Sequence, residues 1–142
     1  MITSKSCQIA TRALILLALN TTGRPITVAT LNSILHIGPA YLTKILQSLT
    51  QNGILTSTKG TNGGVQLRKE AHEISMKDIV DIFDGNDLFE TCALGIPTCT
   101  KETPCAFHYK WASIRDEING AFAHTSIQDL ADSQMRNQHP MS

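Results

Sequence analysis

Residues 27–67 read TVATLNSILHIGPAYLTKILQSLTQNGILTSTKGTNGGVQL. Thr27 supplies a helix N-cap, and Val28, Leu31, Ile34 and Leu35 share one face, so the spacing predicts a helix over 27–36. Ile37-Gly38 makes a tight turn. Pro39, a residue favoured in a first helical turn, opens the next helix. Leu42, Ile45, Leu46 and Leu49 form its buried face, and Asn52-Gly53 ends it, with glycine suited to the left-handed position after a helix. Two alternating runs follow, Ile54 to Thr58 and Gly64 to Arg68. The Gly- and Asn-rich stretch between them marks a β-hairpin.

Outward toward the N-terminus, Ile9, Ala10, Ala13, Leu14, Leu17 and Ala18 recur at helical spacing and predict a helix over 6–20. Thr21-Thr22-Gly23-Arg24-Pro25 stops it. Helix, helix, turn, helix, hairpin is the order of a winged helix-turn-helix, mainly α with a small β-hairpin wing. Toward the C-terminus, Ser75 and Asp78 form a capping arrangement before Ile79, Val80, Ile82 and Phe83. Residues 86–103 lack periodicity and read as a loop. Pro104 opens a longer helix to about Ala123. Its stripe of Phe107, Trp111, Ile114, Ile118 and Phe122 is spaced four, three, four and four. Ser126 to Leu130 adds a last turn or two, and the polar stretch from Ser133 reads as a disordered tail. The chain thus divides into a winged helix-turn-helix (1–84), a cysteine-rich loop (85–104), a long C-terminal helix with a terminal turn (105–132) and a tail (133–142).

The 142 residues suit one small domain with an appendage, and aromatics are only 5% of the chain, so the core must be aliphatic. No run approaches the roughly 20 apolar residues of a membrane span, and no signal-peptide pattern is present, so the expected location is the cytoplasm. Charge is divided unevenly. The first 70 residues hold seven of the twelve lysines and arginines but only Glu70 among the acids, a balance of +6 against −6 for the rest. Such a split suits a first half that meets a polyanion.

In a helix-turn-helix the second helix enters the major groove with its N-terminal residues at the base edges. Here its outward residues are Ala40, Thr43, Lys44 and Gln47, with Tyr41 beside them. Glutamine pairs with adenine, threonine touches a thymine methyl, and lysine meets guanine or phosphate. The hairpin tip, Lys59-Gly60-Thr61-Asn62-Gly63-Gly64, puts a base and small residues where a wing lies along the minor groove, with Lys59, Thr61 and Asn62 as the contacts. An ordinary solvated helix face and an ordinary glycine-rich tip are the plain alternatives for each segment taken alone.

The cysteines are Cys7, Cys92, Cys99 and Cys105. The last three have six and five residues between them, wider than the pairs typical of zinc sites. On a Gly/Pro loop this spacing admits an iron–sulfur cluster, a thiol switch, or three small residues with no metal. The apolar stripe after the loop suits either packing onto the chain's own core or pairing with a second subunit. Cys105 and His108 are neighbours on a helix, but nothing supplies an oxyanion hole or substrate pocket, so the chain does not read as an enzyme.

Ile2-Thr3-Ser4-Lys5, Tyr41-Leu42 through Asn52-Gly53, Ser57-Thr58-Lys59-Gly60, Gly63-Gly64 and Cys105-Ala106-Phe107-His108-Tyr109-Lys110-Trp111 together resemble the IscR/NsrR family of bacterial winged-helix regulators, the Rrf-two family. The likeness covers about residues 2–131. Two positions depart from it: Lys59 stands for the usual wing arginine and Val65 for the usual aromatic. The resemblance implies a homodimer, paired through the long C-terminal helix, that binds a double-stranded DNA operator, usually as a repressor. It also implies an iron–sulfur cluster on Cys92, Cys99 and Cys105 that sets operator affinity. For the fourth ligand it offers His108, in an IscR-like [2Fe–2S] arrangement that is slightly favoured. The alternative is Cys7, at the place of an NsrR-like acidic ligand to a [4Fe–4S] cluster. The other reading is a metal-free member of the family that switches by thiol oxidation or ligand binding.

Overall fold

The computed structural model describes residues 2–97 and 99–142. Helix α1 (Lys5–Leu19) starts at Ser4, whose hydroxyl accepts from the Cys7 amide. It buries Ile9, Ala10, Ala13, Leu14 and Leu17. Helices α2 (Val28–Leu35) and α3 (Pro39–Gln51) follow, then strands β1 (Leu55–Thr58) and β2 (Gly64–Leu67). After a 3₁₀ turn at Ala71–Glu73 come α4 (Met76–Phe83), α5 (Asp87–Glu90), α6 (His108–Ala123) and α7 (Ile127–Asn137). Helix α1 is the hub. It packs against α2, α3, α4, α7 and β2, and the aliphatic core is built around it from Leu31, Leu35, Leu42, Leu49, Leu55, Ile74, Ile79 and Ile127.

The tight turn between α2 and α3 is held by a side chain. Asn32 Oδ1 accepts from the Ile37 amide at 3.1 Å and from the Gly38 amide at 2.9 Å. His36 takes the left-handed conformation that ends α2. Ile34, expected on the buried face, is 42% exposed. It lies about 80° around the helix from the middle of the Leu31–Leu35 stripe, too far to reach the core.

Strands β1 and β2 pair antiparallel, Leu55 opposite Leu67 and Thr58 opposite Gly64. The wing gains a third edge from outside the hairpin. Ile26 N donates to Val65 O at 2.9 Å, and Val65 N donates back to Ile26 O at 2.8 Å. Gly64 makes this docking possible: its φ is +146°, and a Cβ there would collide with the Ile26 carbonyl oxygen.

The Ser75–Asp78 capping box forms with both reciprocal bonds, 3.0 and 3.1 Å. Ser126 and Asp129 repeat it at the start of α7. The two helix starts are laced together by Met76 N to Thr125 O (2.9 Å) and Ile127 N to Ile74 O (2.8 Å). Helix α7 runs through Asn137, past Ser133, where the sequence reading begins a disordered tail. Beyond it the Met141 carbonyl accepts from Arg12 at 3.2 Å. The helical turn α5 also lies inside the segment read as loop. Its four residues are too short for a periodicity to register, and it closes because Phe89 is buried against the Phe122 ring at 5.7 Å.

Candidate nucleic-acid interface and cysteine loop

The candidate reading surface is the outer face of α3. Leu42, Ile45, Leu46 and Leu49 hold the opposite face in the core, which leaves Ala40, Tyr41, Lys44 and Gln47 exposed and Thr43 half-buried. The Thr43 hydroxyl proton is committed to the Pro39 carbonyl at 2.7 Å, so its γ-methyl is the group left for a base edge. Among the described residues Lys44 and Gln47 have no side-chain hydrogen-bond or ion-pair partner. Tyr41 does: its hydroxyl lies 2.7 Å from Ser6 Oγ on α1. At the wing tip Lys59, Thr61 and Asn62 are all exposed, above a turn closed by Gly63 N to Gly60 O at 3.0 Å.

The cysteine segment is tied to α6 at both ends. On the first side, Trp111 Nε1 donates to the Thr91 carbonyl at 2.9 Å and Arg115 to the Glu90 carbonyl at 3.0 Å. These bonds hold the residues just before Cys92. On the other side, Cys99 Sγ lies 3.4 Å from His108 Nδ1, and the Cys105 amide points at Cys99 Sγ at 3.5 Å. The Cys99 sulfur therefore lies between the His108 ring and the Cys105 backbone at the N-terminus of α6. The Cys105 thiol is held below its ordinary range, first by the Phe107 amide, then by Cys99 and the amides of His108 and Cys105 itself. Amides aimed at a sulfur favour its thiolate, the form that binds metals.

Cys92 is half-buried and makes a turn in which its carbonyl accepts from Gly95 N. Among the described residues no three His, Cys, Asp or Glu side chains converge as a metal site, and all four cysteines are free thiols. The donor set still suits iron: three thiols and an imidazole are ligands of the kind iron–sulfur clusters use, and one of the thiols, Cys99, already lies against the imidazole. Cys7 is placed otherwise. It is 1% exposed in the α1 core, and its thiol is pushed up to about 11, chiefly by burial and then by the charge of Asp84.

The stripe on α6 divides between the two uses the sequence allows. Ile118 and Phe122 pack against the core, and Phe107 stacks on Trp111 at 6.2 Å. Ile114 stays 45% exposed and Tyr109 65%. No residue of α6 is fully buried.

The model of the Rrf2 family, described as iron-dependent transcriptional regulators, matches residues 3–133. The chain belongs to the Rrf2 family. An HTH-type transcriptional regulator of Aquifex aeolicus is 32% identical over 144 residues, covering 100% of this chain and 99% of the relative. IscR of Photorhabdus laumondii is 28% identical over 133 residues, covering 94% of this chain and 80% of its own length. Among solved structures, CymR, the global cysteine regulator of B. subtilis, superposes with a TM-score of 0.79 at 22% identity, over 92% of this chain and 95% of that one. IscR of T. potens does so at 0.73 and 18%, over 96% and 90%. These structures share the winged-helix fold found here.

As an Rrf2 member the chain is a transcriptional regulator, and its relatives are regulators rather than enzymes. No helix among the described residues is long and apolar enough to cross a membrane. Several residues that shape this Rrf2 chain's two candidate sites have no signature in the sequence. Ser6, Asn32 and Ile26 act through partners chosen by packing. Only the polar Asn32, six residues before Gly38, offers a local hint, since asparagine readily bonds backbone amides a few residues on.

Proposed function

We propose that the protein is a homodimeric DNA-binding repressor whose operator affinity is set by an iron–sulfur cluster on its cysteine loop. The observation that carries the reading is the placement of Cys99 Sγ against the His108 imidazole and the Cys105 amide at the start of α6, the helix whose other end packs on the core. Cys92, Cys99 and Cys105 would supply thiolates and His108 the fourth ligand. When bound, the group supplies a centre whose charge and integrity respond to oxidants. Cys7 fits the ligand role less well, because burial holds its thiol protonated. This supports the [2Fe–2S] arrangement with His108 over the [4Fe–4S] one with Cys7.

The chain's own residues do the rest. Ala40, Tyr41, Thr43, Lys44 and Gln47 face the major groove, and Lys59, Thr61 and Asn62 lie along the minor groove beside the phosphates. The exposed Ile114, in the apolar stripe of α6, meets the same helix of a second subunit, giving two reading heads for a two-fold operator in the cytoplasm. Trp111 and Arg115 hold the loop to that helix, so a change in the loop's shape alters the spacing of the two heads.

Anaerobic purification with visible spectroscopy and iron and sulfide analysis tests the cluster. Charge-transfer bands with bound iron and sulfide are expected, and operator affinity should differ between cluster-bound and cluster-free protein. A colourless, iron-free protein after reconstitution overturns this reading. It would favour the second, a thiol switch, which the approach of Cys105 to Cys99 also suits.

A further inference from the structure

The turn between α1 and α2 carries a cation, Arg24, with no partner among the described residues. Arg24 is exposed, and among the described residues its guanidinium has neither a hydrogen-bond acceptor nor an ion pair. Its backbone, by contrast, is fixed. Asn20 Nδ2 donates to the Arg24 carbonyl at 2.8 Å, and the Arg24 amide donates to Thr22 Oγ1 at 3.2 Å. Thr22 Oγ1 in turn donates to Asn20 Oδ1 at 2.8 Å. Pro25 restricts the next φ. Then Ile26 exchanges its two backbone bonds with Val65 of the wing. The turn and the wing are therefore one unit, and Arg24 is preset beside the wing tip.

A groove of about 550 Å³ separates the two. Gly23, Arg24, Pro25 and Thr27 line one wall, and Thr61 and Asn62 the other. No carboxylate lines it. On its far side Arg24 borders a second hollow with Arg68 and Lys69, where Glu70 is the one acid. The local field is thus positive, and the groove opens where the wing tip is exposed.

We propose that Arg24 binds a backbone phosphate of the DNA, so that the α1–α2 turn and the wing tip grip one strand from two sides. A guanidinium suits this ligand, because its planar fork matches two phosphate oxygens. The fixed turn lowers the ordering cost of the contact. The proposal rests on the DNA-binding reading above and adds a contact outside the helix-turn-helix and the wing tip.

The test uses the full chain, with a duplex selected by the wild-type protein from a random-sequence pool and a scrambled duplex of equal length. Binding is followed by fluorescence anisotropy across a salt series. Arg24→Gln should weaken binding to both duplexes about tenfold, the effect of one charge-assisted hydrogen bond. It should also flatten the plot of log affinity against log salt by about one per subunit. Arg24→Lys should keep most of that slope, and thermal midpoints should match wild type. Wild-type slope and affinity in Arg24→Gln overturn the proposal, as does a loss confined to the selected duplex, which would mark a base contact. A wild-type protein that selects no duplex overturns the DNA reading itself.

Discussion

Ser6 Oγ and Tyr41 OH lie 2.7 Å apart, a bond between the first turn of α1 and the first turn of α3. Two residues earlier the Ser4 amide donates to Asp84 Oδ2 at 2.8 Å. Asp84 ends α4 and leads into the cysteine loop. The N-terminal segment therefore touches both the reading helix and the root of that loop. Releasing Tyr41 should blur its position at the groove. Ser6→Ala should lower operator affinity about two- to tenfold, the range of one ordinary hydrogen bond. Combined with Tyr41→Phe, it should cost no more than Tyr41→Phe alone. Additive losses in anisotropy titrations would show that the two residues act apart.

Cys7 should make the protein less stable in alkali. Its thiol has an ordinary value of 9.0 and is raised to about 11 in the fold. Between those values the folded chain keeps a proton that the unfolded chain releases. The stabilisation is whole below about pH 9 and is lost as pH rises toward 11. Thermal midpoints of metal-free protein should fall through this window, and Cys7→Ala should flatten the fall. Iodoacetamide at neutral pH should label Cys105 first and spare Cys7 until the chain unfolds. Early labelling of Cys7 would contradict its burial.

Gly64 should tolerate no side chain. Its φ of +146° disfavours one, and the Ile26 carbonyl occupies the space. Gly64→Ala should destabilise the protein by more than about 1 kcal/mol, because alanine meets both the strain and the clash. The wing should undock from Ile26, and limited proteolysis near Lys59 should speed up. Gly60→Ala, strained by a φ of +101° but with open space around it, should cost less.

The loop cysteines should differ from Cys7 in iron binding. Cys99→Ser and Cys105→Ser should each lower the iron retained after anaerobic reconstitution, since each removes a thiolate donor. Cys7→Ala should leave it near the wild-type level. His108→Ala should change the visible spectrum even where iron is retained. Full iron retention with an unchanged spectrum in His108→Ala would reassign the fourth ligand.

Much of the fold was legible because its signals are local. The Ser75–Asp78 box spans three residues, Pro39 and Gly38 mark the helix-turn-helix turn, and the Leu42–Leu49 stripe repeats at one helical period. Ser126–Asp129 has the same box pattern, yet the sequence predicts only a short terminal turn there, because the polar residues after Leu130 carry no apolar stripe. What those residues have instead is Ala131, buried against the rest of the fold, and one small side chain is too weak a signal.

By itself the sequence determined the order of elements, the charged and polar outer face of α3, the glycine-rich wing tip and the grouping of three cysteines before a helix. Only the tertiary structure decided which of these touch. Ser6 meets Tyr41 across 35 residues and Ser4 meets Asp84 across 80. Val65 takes Ile26 as a strand partner, and Cys99 meets His108 while Cys7 is buried in the core. Helical and strand periodicity records the face a residue occupies on its own element. It does not record the angle at which two elements pack, and that angle selects each of these partners.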